Sequence, residues 1–249
     1  MKLLKTEEEK QQGKFQKLLE STRKAIPERY NHIELMDDLL DPEIDWYVSI
    51  SNRSDGKTFN YINMFTRIAL EFNVKFMLLA RHYTVQNAYV SFMIELFTTL
   101  PDLDEKQLSI RRNDDYVVIA YGKQELCVIT DMNNATDLRY YSNYLKQFPL
   151  LVYDEFLSLE SDYLSDEWEK IKTIYESIDR NHGNIPLIGH PKVFLLGNAV
   201  NFSSPLLANL DLFNKLENHP INTKQRYDNI IMELRRNDHV NELRNTRAF

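Results

Sequence analysis

Ser51-Asn52-Arg53-Ser54-Asp55-Gly56-Lys57-Thr58 is the stretch whose reading decides the fold. It follows an apolar run, Trp46-Tyr47-Val48-Ser49-Ile50, of the length and character of a short buried strand. It precedes Phe59 to Phe72, whose apolar residues recur with helical spacing. Strand, loop ending in Gly-Lys-Thr, then helix is the context a phosphate-binding P-loop requires. Backbone N–H groups of such a loop, together with the helix N-terminus, point at phosphate oxygens. Lys57 is placed to reach the β- and γ-phosphates, and Thr58 to put its hydroxyl on Mg²⁺. Gly56 lets the backbone approach phosphate where a Cβ would clash. The usual pattern opens on Gly, whereas this loop opens on Ser51 and carries Arg53 inside it. A chance Gly-Lys-Thr at a helix start is the competing reading.

The downstream sequence weighs against chance. Leu150-Leu151-Val152-Tyr153 runs straight into Asp154-Glu155, an apolar strand ending in two carboxylates. That order suits the second half of a nucleotide hydrolase. Asp154, at the carboxyl end of the strand, can hold Mg²⁺ through water, and Glu155 can accept a proton from the attacking water. A further apolar strand, Val193-Phe194-Leu195-Leu196, closes on Gly197-Asn198. Asn198 would sense the γ-phosphate if this strand lies between the other two; otherwise it reads as a turn residue.

Composition bounds the rest. The chain has 249 residues, 43% hydrophobic and 27% charged, with a formal charge of −7. That is ordinary globular composition, and the acidic balance argues against a generally basic nucleic-acid coat. The one cysteine, Cys127, sits in an apolar strand pattern and allows no internal disulfide, which suits a reducing cytosol. No apolar run approaches membrane-spanning length, and the N-terminus lacks the apolar region of a signal peptide.

Taken in order, residues 1 to about 25 read as an exposed helix with a narrow stripe at Phe15, Leu18 and Leu19, and Tyr30 to Leu40 as a second short helical segment. Tyr30, His32 and Trp46 are candidates to lie beside a nucleotide base, with ordinary packing the favoured alternative for each. Val74 to Ala80 is a strand, with Arg81 at its end, where open α/β sheets bind ligands. Ala88 to Leu100 is helical, Tyr116 to Thr130 a β-hairpin around Gly122, and Leu108 to Arg112 a candidate third strand. Glu167 to Arg180 is an amphipathic helix, and Ser204-Pro205 starts another. Thr223 to Arg247, highly charged, reads as a terminal helix outside the core. The expected division is a helical extension over 1–45, an ATPase domain over 46–218 and a linker helix region over 219–249.

The expected fold class is therefore α/β: a RecA-like P-loop NTPase of the additional-strand, catalytic-glutamate class. Its mostly parallel central sheet would carry helices on both faces and an inserted β-hairpin. The phosphate cradle is Ser51, Asn52, Arg53, Ser54, Asp55, Gly56, Lys57 and Thr58, joined by Asn198; Thr58 and Asp154 are the metal ligands, and Lys57 and Glu155 the catalytic groups. The cofactors are ATP and Mg²⁺.

The wording of these segments carries a closer likeness. S-N-R-S-D-G-K-T with its internal arginine, F-M-L-L-A-R-H-Y, the hairpin, V-Y-D-E-F, the D-R-N that ends the next helix and L-L-G-N-A-V-N occur in that order. The set resembles the DNA-packaging ATPases of small φ29-like podophages over about residues 46 to 215. The resemblance implies a homomeric ring, a pentamer, that docks on a phage portal protein in the host cytoplasm and drives double-stranded DNA into a procapsid. A structural RNA is a further partner it brings into consideration. It implies that Arg180 is an arginine finger reaching a neighbouring subunit, where spacing alone reads a helix-terminal cation. It sets Arg139 near a second basic residue acting across the interface. That family commonly continues into a vestigial nuclease-like domain, and no acidic cluster here suggests nuclease chemistry. Another ring-forming DNA translocase or helicase, or a nucleotide-binding scaffold that does not hydrolyse, would share much of this pattern.

Overall fold

The structure, a computed structural model, describes residues 6–26, 33–179 and 185–236. In chain order the strands are β1 (Trp46–Ser51), β2 (Phe76–Ala80), β3 (Leu108–Arg112), β4 (Tyr116–Tyr121), β5 (Gln124–Asp131), β6 (Leu150–Asp154), β7 (Lys192–Asn198), β8 (Thr223–Tyr227) and β9 (Ile230–Leu234). The helices are α1 (Glu7–Ala25), α2 (Lys57–Phe72), α3 (Gln86–Thr99), the single turns α4 (Ala135–Leu138) and α5 (Ser142–Leu145), then α6 (Glu167–Ile178), α7 (Pro205–Asn209) and α8 (Phe213–Glu217). All the strands join one nine-stranded sheet in the order β3-β4-β5-β2-β6-β7-β1-β9-β8. From β5 to β9 every neighbouring pair is parallel, and the antiparallel pairs β3-β4, β4-β5 and β8-β9 lie towards the two edges.

The inner strands are near-continuous apolar runs because helices cover both faces of the sheet. Phe76, Leu78, Leu150, Val152, Phe194 and Leu196 face the layer of α1, α2 and α3, while Met77, Leu79, Leu151, Tyr153, Val193 and Leu195 face the layer of α6 and α7. The expected mixed α/β architecture is observed, with a mostly parallel sheet, and the expected inserted hairpin, β4-β5, lies towards one edge of it.

α1 is capped by Thr6, whose hydroxyl accepts from the Glu9 amide while the Glu9 carboxylate accepts from the Thr6 amide. Its stripe is buried as read, with Phe15 and Leu19 in the core and Phe15 against Phe72 of α2 at 6.4 Å. Arg23 grips Asp37 with two hydrogen bonds of 2.8 and 2.9 Å, tying the C-terminal turn of α1 to the 3₁₀ turn Glu34–Asp38.

The C-terminal expectation is overturned. Residues 223–234 form the hairpin β8-β9, not a helix, and β9 adds to the sheet beside β1 with Trp46 opposite Ile230. Asp228-Asn229 makes the two-residue turn, with Asp228 at φ 52°, a left-handed conformation that Asp tolerates. Ile230, Ile231 and Met232 are buried, so this segment belongs to the core from which the sequence reading excluded it. Residues 237–249 lie outside the described residues. No helix among the described residues is long and apolar enough to cross a membrane.

Candidate functional site

The Ser51–Thr58 loop connects β1 to α2, as its sequence context demanded. Gly56, the residue before the first helical turn, has φ 78°, and Ser54 has φ 68°. Ser51 is still strand, paired with Asn198 of β7, and does not require a left-handed backbone. The departure from Gly at that position is therefore accommodated without strain.

β7 lies between β6 and β1 in the sheet. The condition on Asn198 is met: it ends the strand beside Ser51, and the Ala199 amide donates to the Ser51 carbonyl at 2.9 Å. Lys57 is buried, and its Nζ donates to Asn198 Oδ1 at 3.5 Å, the long limit of a hydrogen bond. Thr58 Oγ1 donates to Asp154 Oδ1 at 3.1 Å. Five of the expected site residues, Lys57, Thr58, Asp154, Glu155 and Asn198, thus gather at the carboxyl ends of three adjacent parallel strands. Open α/β sheets bind ligands at this edge.

Burial raises the Asp154 carboxyl above the ordinary aspartate range, and Glu155 beside it pushes the same way; the Lys57 ammonium and the Thr58 hydroxyl pull it back. A cation beside Asp154 would relieve that burial cost. Among the described residues no group of three or more His, Cys, Asp or Glu side chains could hold a metal unaided. One carboxylate and one hydroxyl are instead the sparse protein ligand set that suits Mg²⁺ shared with phosphates and water.

Glu155 leaves β6 at φ 57° and is exposed. A left-handed non-glycine residue costs roughly 1–2 kcal/mol, and surrounding structure must hold it there. The Phe156 amide donates to the Leu196 carbonyl at 3.2 Å. On the other side Arg81, at the end of β2, donates from Nη2 to the Phe156 carbonyl at 3.0 Å. The Arg81 guanidinium lies over the rings of Tyr153 and Tyr163, 5.6 and 5.2 Å from their centroids, and its Nε is 3.4 Å from the fully buried Glu167. The sequence places Arg81 at the end of a strand. It is at the strand end, but it is sheltered and clamps the backbone that follows Glu155. Gly197 completes the support: a Cβ there would come within 2.6 Å of Phe156 Cε1 and 2.9 Å of Leu157 Cγ. Neither contact had a local sequence signal, because both depend on which strands become neighbours.

One candidate, Trp46, lies away from the site. Trp46 begins β1, at the end opposite the loop, and stacks on Trp168 at 5.5 Å and Tyr175 at 6.4 Å. It packs the sheet and is no candidate for a base. Arg53 is exposed on the loop. Arg180, Tyr30 and His32 lie outside the described residues, as does the side chain of Arg139.

No protein-family model and no curated protein matches this chain. Solved structures do. The N-terminal domain of the DNA packaging ATPase from bacteriophage phi29 matches with a TM-score of 0.61, over 80% of this chain and 93% of that one, at 14% identity. The Phi-28 gp11 DNA packaging motor matches with a TM-score of 0.55, again over 80% of this chain and at 14% identity, but over 58% of its own length. At such identity the likeness is one of fold.

Proposed function

We propose that this chain is the ATPase subunit of a ring-shaped viral DNA-packaging motor, with a RecA-like P-loop core of the additional-strand, catalytic-glutamate class. The observation that carries the reading is the meeting of Lys57, Thr58, Asp154, Glu155 and Asn198 at one sheet edge. The fold shared with a packaging ATPase narrows the kind of NTPase.

In this proposal Ser51 to Thr58 wraps the phosphates with backbone N–H groups, and Lys57 leaves Asn198 to meet the β- and γ-phosphates. Thr58 and Asp154 hold Mg²⁺, which when bound neutralises charge on the phosphate oxygens. Glu155, exposed just beyond the ligand Asp154, takes the proton of the attacking water. Asn198 touches the γ-phosphate and couples its loss to β7. Arg180 reaches the nucleotide of a neighbouring subunit, a role that rests on the family resemblance. Residues 46–218 carry the nucleotide chemistry, and the partners are duplex DNA, the portal protein of a procapsid in the host cytoplasm and further copies of this chain in a ring.

ATP hydrolysis measured across protein concentration, with and without duplex DNA, tests the proposal. The expected result is specific activity that rises with concentration and with duplex. ATP binding without turnover would favour a scaffold. Strand separation without translocation of intact duplex would favour a helicase.

A further inference from the structure

A cleft of about 830 Å³ opens directly from the phosphate loop. Ser54 and Gly56 line it, so it shares two residues with the proposed phosphate cradle. One wall is the first two turns of α2 from Phe59 onward; a second is the end of α1, at Ala25 and Ile26; a third is the turn after α3, at Leu100 and Pro101. Its lining is mainly apolar, and its volume lies within the range of small-molecule sites. Arg67, which also lines the cleft, makes paired hydrogen bonds of 2.7 and 3.0 Å to Asp102 on the far rim, and its Nε donates to Asn63 Oδ1 at 2.9 Å. That guanidinium is committed to holding α2 against the 99–102 turn, so the cleft is poorly equipped to be a second phosphate site.

A nucleotide held by its phosphates at Ser54 and Gly56 must send its ribose and base away from the loop. A flat, weakly polar ring gains most from a space walled by Ile26, Phe59, Leu100 and Pro101. We infer that this cleft takes the nucleoside end of the nucleotide, which makes α1 and the 99–102 turn part of the substrate site. The inference rests on the nucleotide reading of the loop and goes beyond it, because neither wall belongs to a phosphate-binding motif. It also accounts for how firmly α1 is held by the core contacts of Phe15 and Leu19 and by the Arg23–Asp37 pair.

The test compares Mg²⁺-ATP with Mg²⁺-tripolyphosphate by calorimetry, in the parent protein and in variants that fill the cleft. Ala25→Trp and Thr99→Trp place an indole into it from opposite walls, both from exposed positions; Glu8→Trp, at the other end of α1, is the control. The parent should bind ATP about tenfold or more tightly than tripolyphosphate, the surplus coming from the nucleoside. Both cleft variants should lose that surplus and keep their tripolyphosphate affinity, and Glu8→Trp should keep both affinities. Cleft variants that fold, shown by circular dichroism, and still prefer ATP as the parent does would overturn the inference. A parent that bound ATP and tripolyphosphate equally would overturn it while leaving the phosphate reading intact. A parent that bound neither would overturn the phosphate reading, and the inference with it.

Discussion

The hydroxyl of Thr58 donates to Asp154 across 3.1 Å, joining the first turn of α2 to the end of β6. The two residues are far apart in sequence, and only the strand order β6-β7-β1 brings them together. Asp154 is almost fully buried, so each polar partner it keeps matters to its charge state.

Thr58→Ala should therefore act on the metal more than on the nucleotide. The proposed site loses one of two metal-facing groups, and the Asp154 carboxyl loses a donor that favours its ionised form. The gain in ATP affinity on adding Mg²⁺ should shrink about tenfold or more, while affinity in excess chelator stays as in the parent. Thr58→Ser, which keeps the hydroxyl, should restore the gain. An unchanged Mg²⁺ effect in the alanine variant would remove Thr58 from the ligand set.

Glu155→Gln should bind ATP like the parent and lose turnover by a factor on the order of a hundred or more, because an amide keeps the size but not the base. Lys57→Ala should instead weaken binding itself, since in the proposed site Lys57 is the ammonium that meets the phosphates. Arg180→Ala should bind ATP yet hydrolyse it poorly. Mixed with Glu155→Gln in one ring, it should recover part of the activity, because some interfaces then pair an intact Glu155 with an intact Arg180. Finding no rescue in a confirmed mixed oligomer would argue against a role in trans.

The legible part of this fold is the part buried on both faces. β1, β2, β6 and β7 are continuous apolar runs, and two of them end in residues with recognisable chemistry. What the sequence did not disclose was neighbourhood. Asn198 could be placed at a strand end, but its meaning depended on where β7 lies in the sheet. Arg81 was visible as a residue and invisible as a clamp on the Phe156 carbonyl. The hairpin β8-β9 was missed for a different reason. Its buried run, Ile230-Ile231-Met232, is short and set in a highly charged stretch with few apolar residues. The Asp228-Asn229 pair before that run was the turn signal that could have corrected the reading.

Gly197→Ala should unsettle Glu155 without touching it. The added methyl would press on Phe156 and Leu157, which are buried and unable to give way freely. Overpacking of this kind costs about 1–3 kcal/mol. Urea unfolding should show that loss, and turnover should fall with little change in ATP affinity, since the proposed phosphate cradle follows another strand, β1. Unaltered stability would mean that the segment after Glu155 is free to move.

The last expectation concerns Glu233, a carboxyl in β9 with no exposed surface. Ser49 Oγ and Tyr61 OH both donate to its Oε1, at 2.5 and 2.7 Å, so it links the hairpin to β1 and α2. Arg235 Nε stands 3.7 Å from its other oxygen, and Glu34, which pairs with Arg235, is also near. Burial raises the Glu233 carboxyl above the ordinary value of 4.5, and Glu34 adds to the rise; Ser49, Tyr61 and Arg235 oppose it. The fold thus favours the neutral acid. An unfolded glutamate ionises near that ordinary value, so the contribution of Glu233 to stability is complete below it and is lost as pH rises through the folded-state value. Glu233→Gln keeps an acceptor for both hydroxyls and cannot ionise. Compared with the parent by urea unfolding from acid to mildly alkaline pH, the variant should gain relative stability as pH rises. Asp154 and Glu167, whose carboxyls burial also raises, are present in both proteins and cancel from the difference. Parallel stability curves would show that the fold leaves Glu233 with its ordinary acidity, and a variant that lost relative stability as pH rose would show a carboxylate kept charged by Arg235.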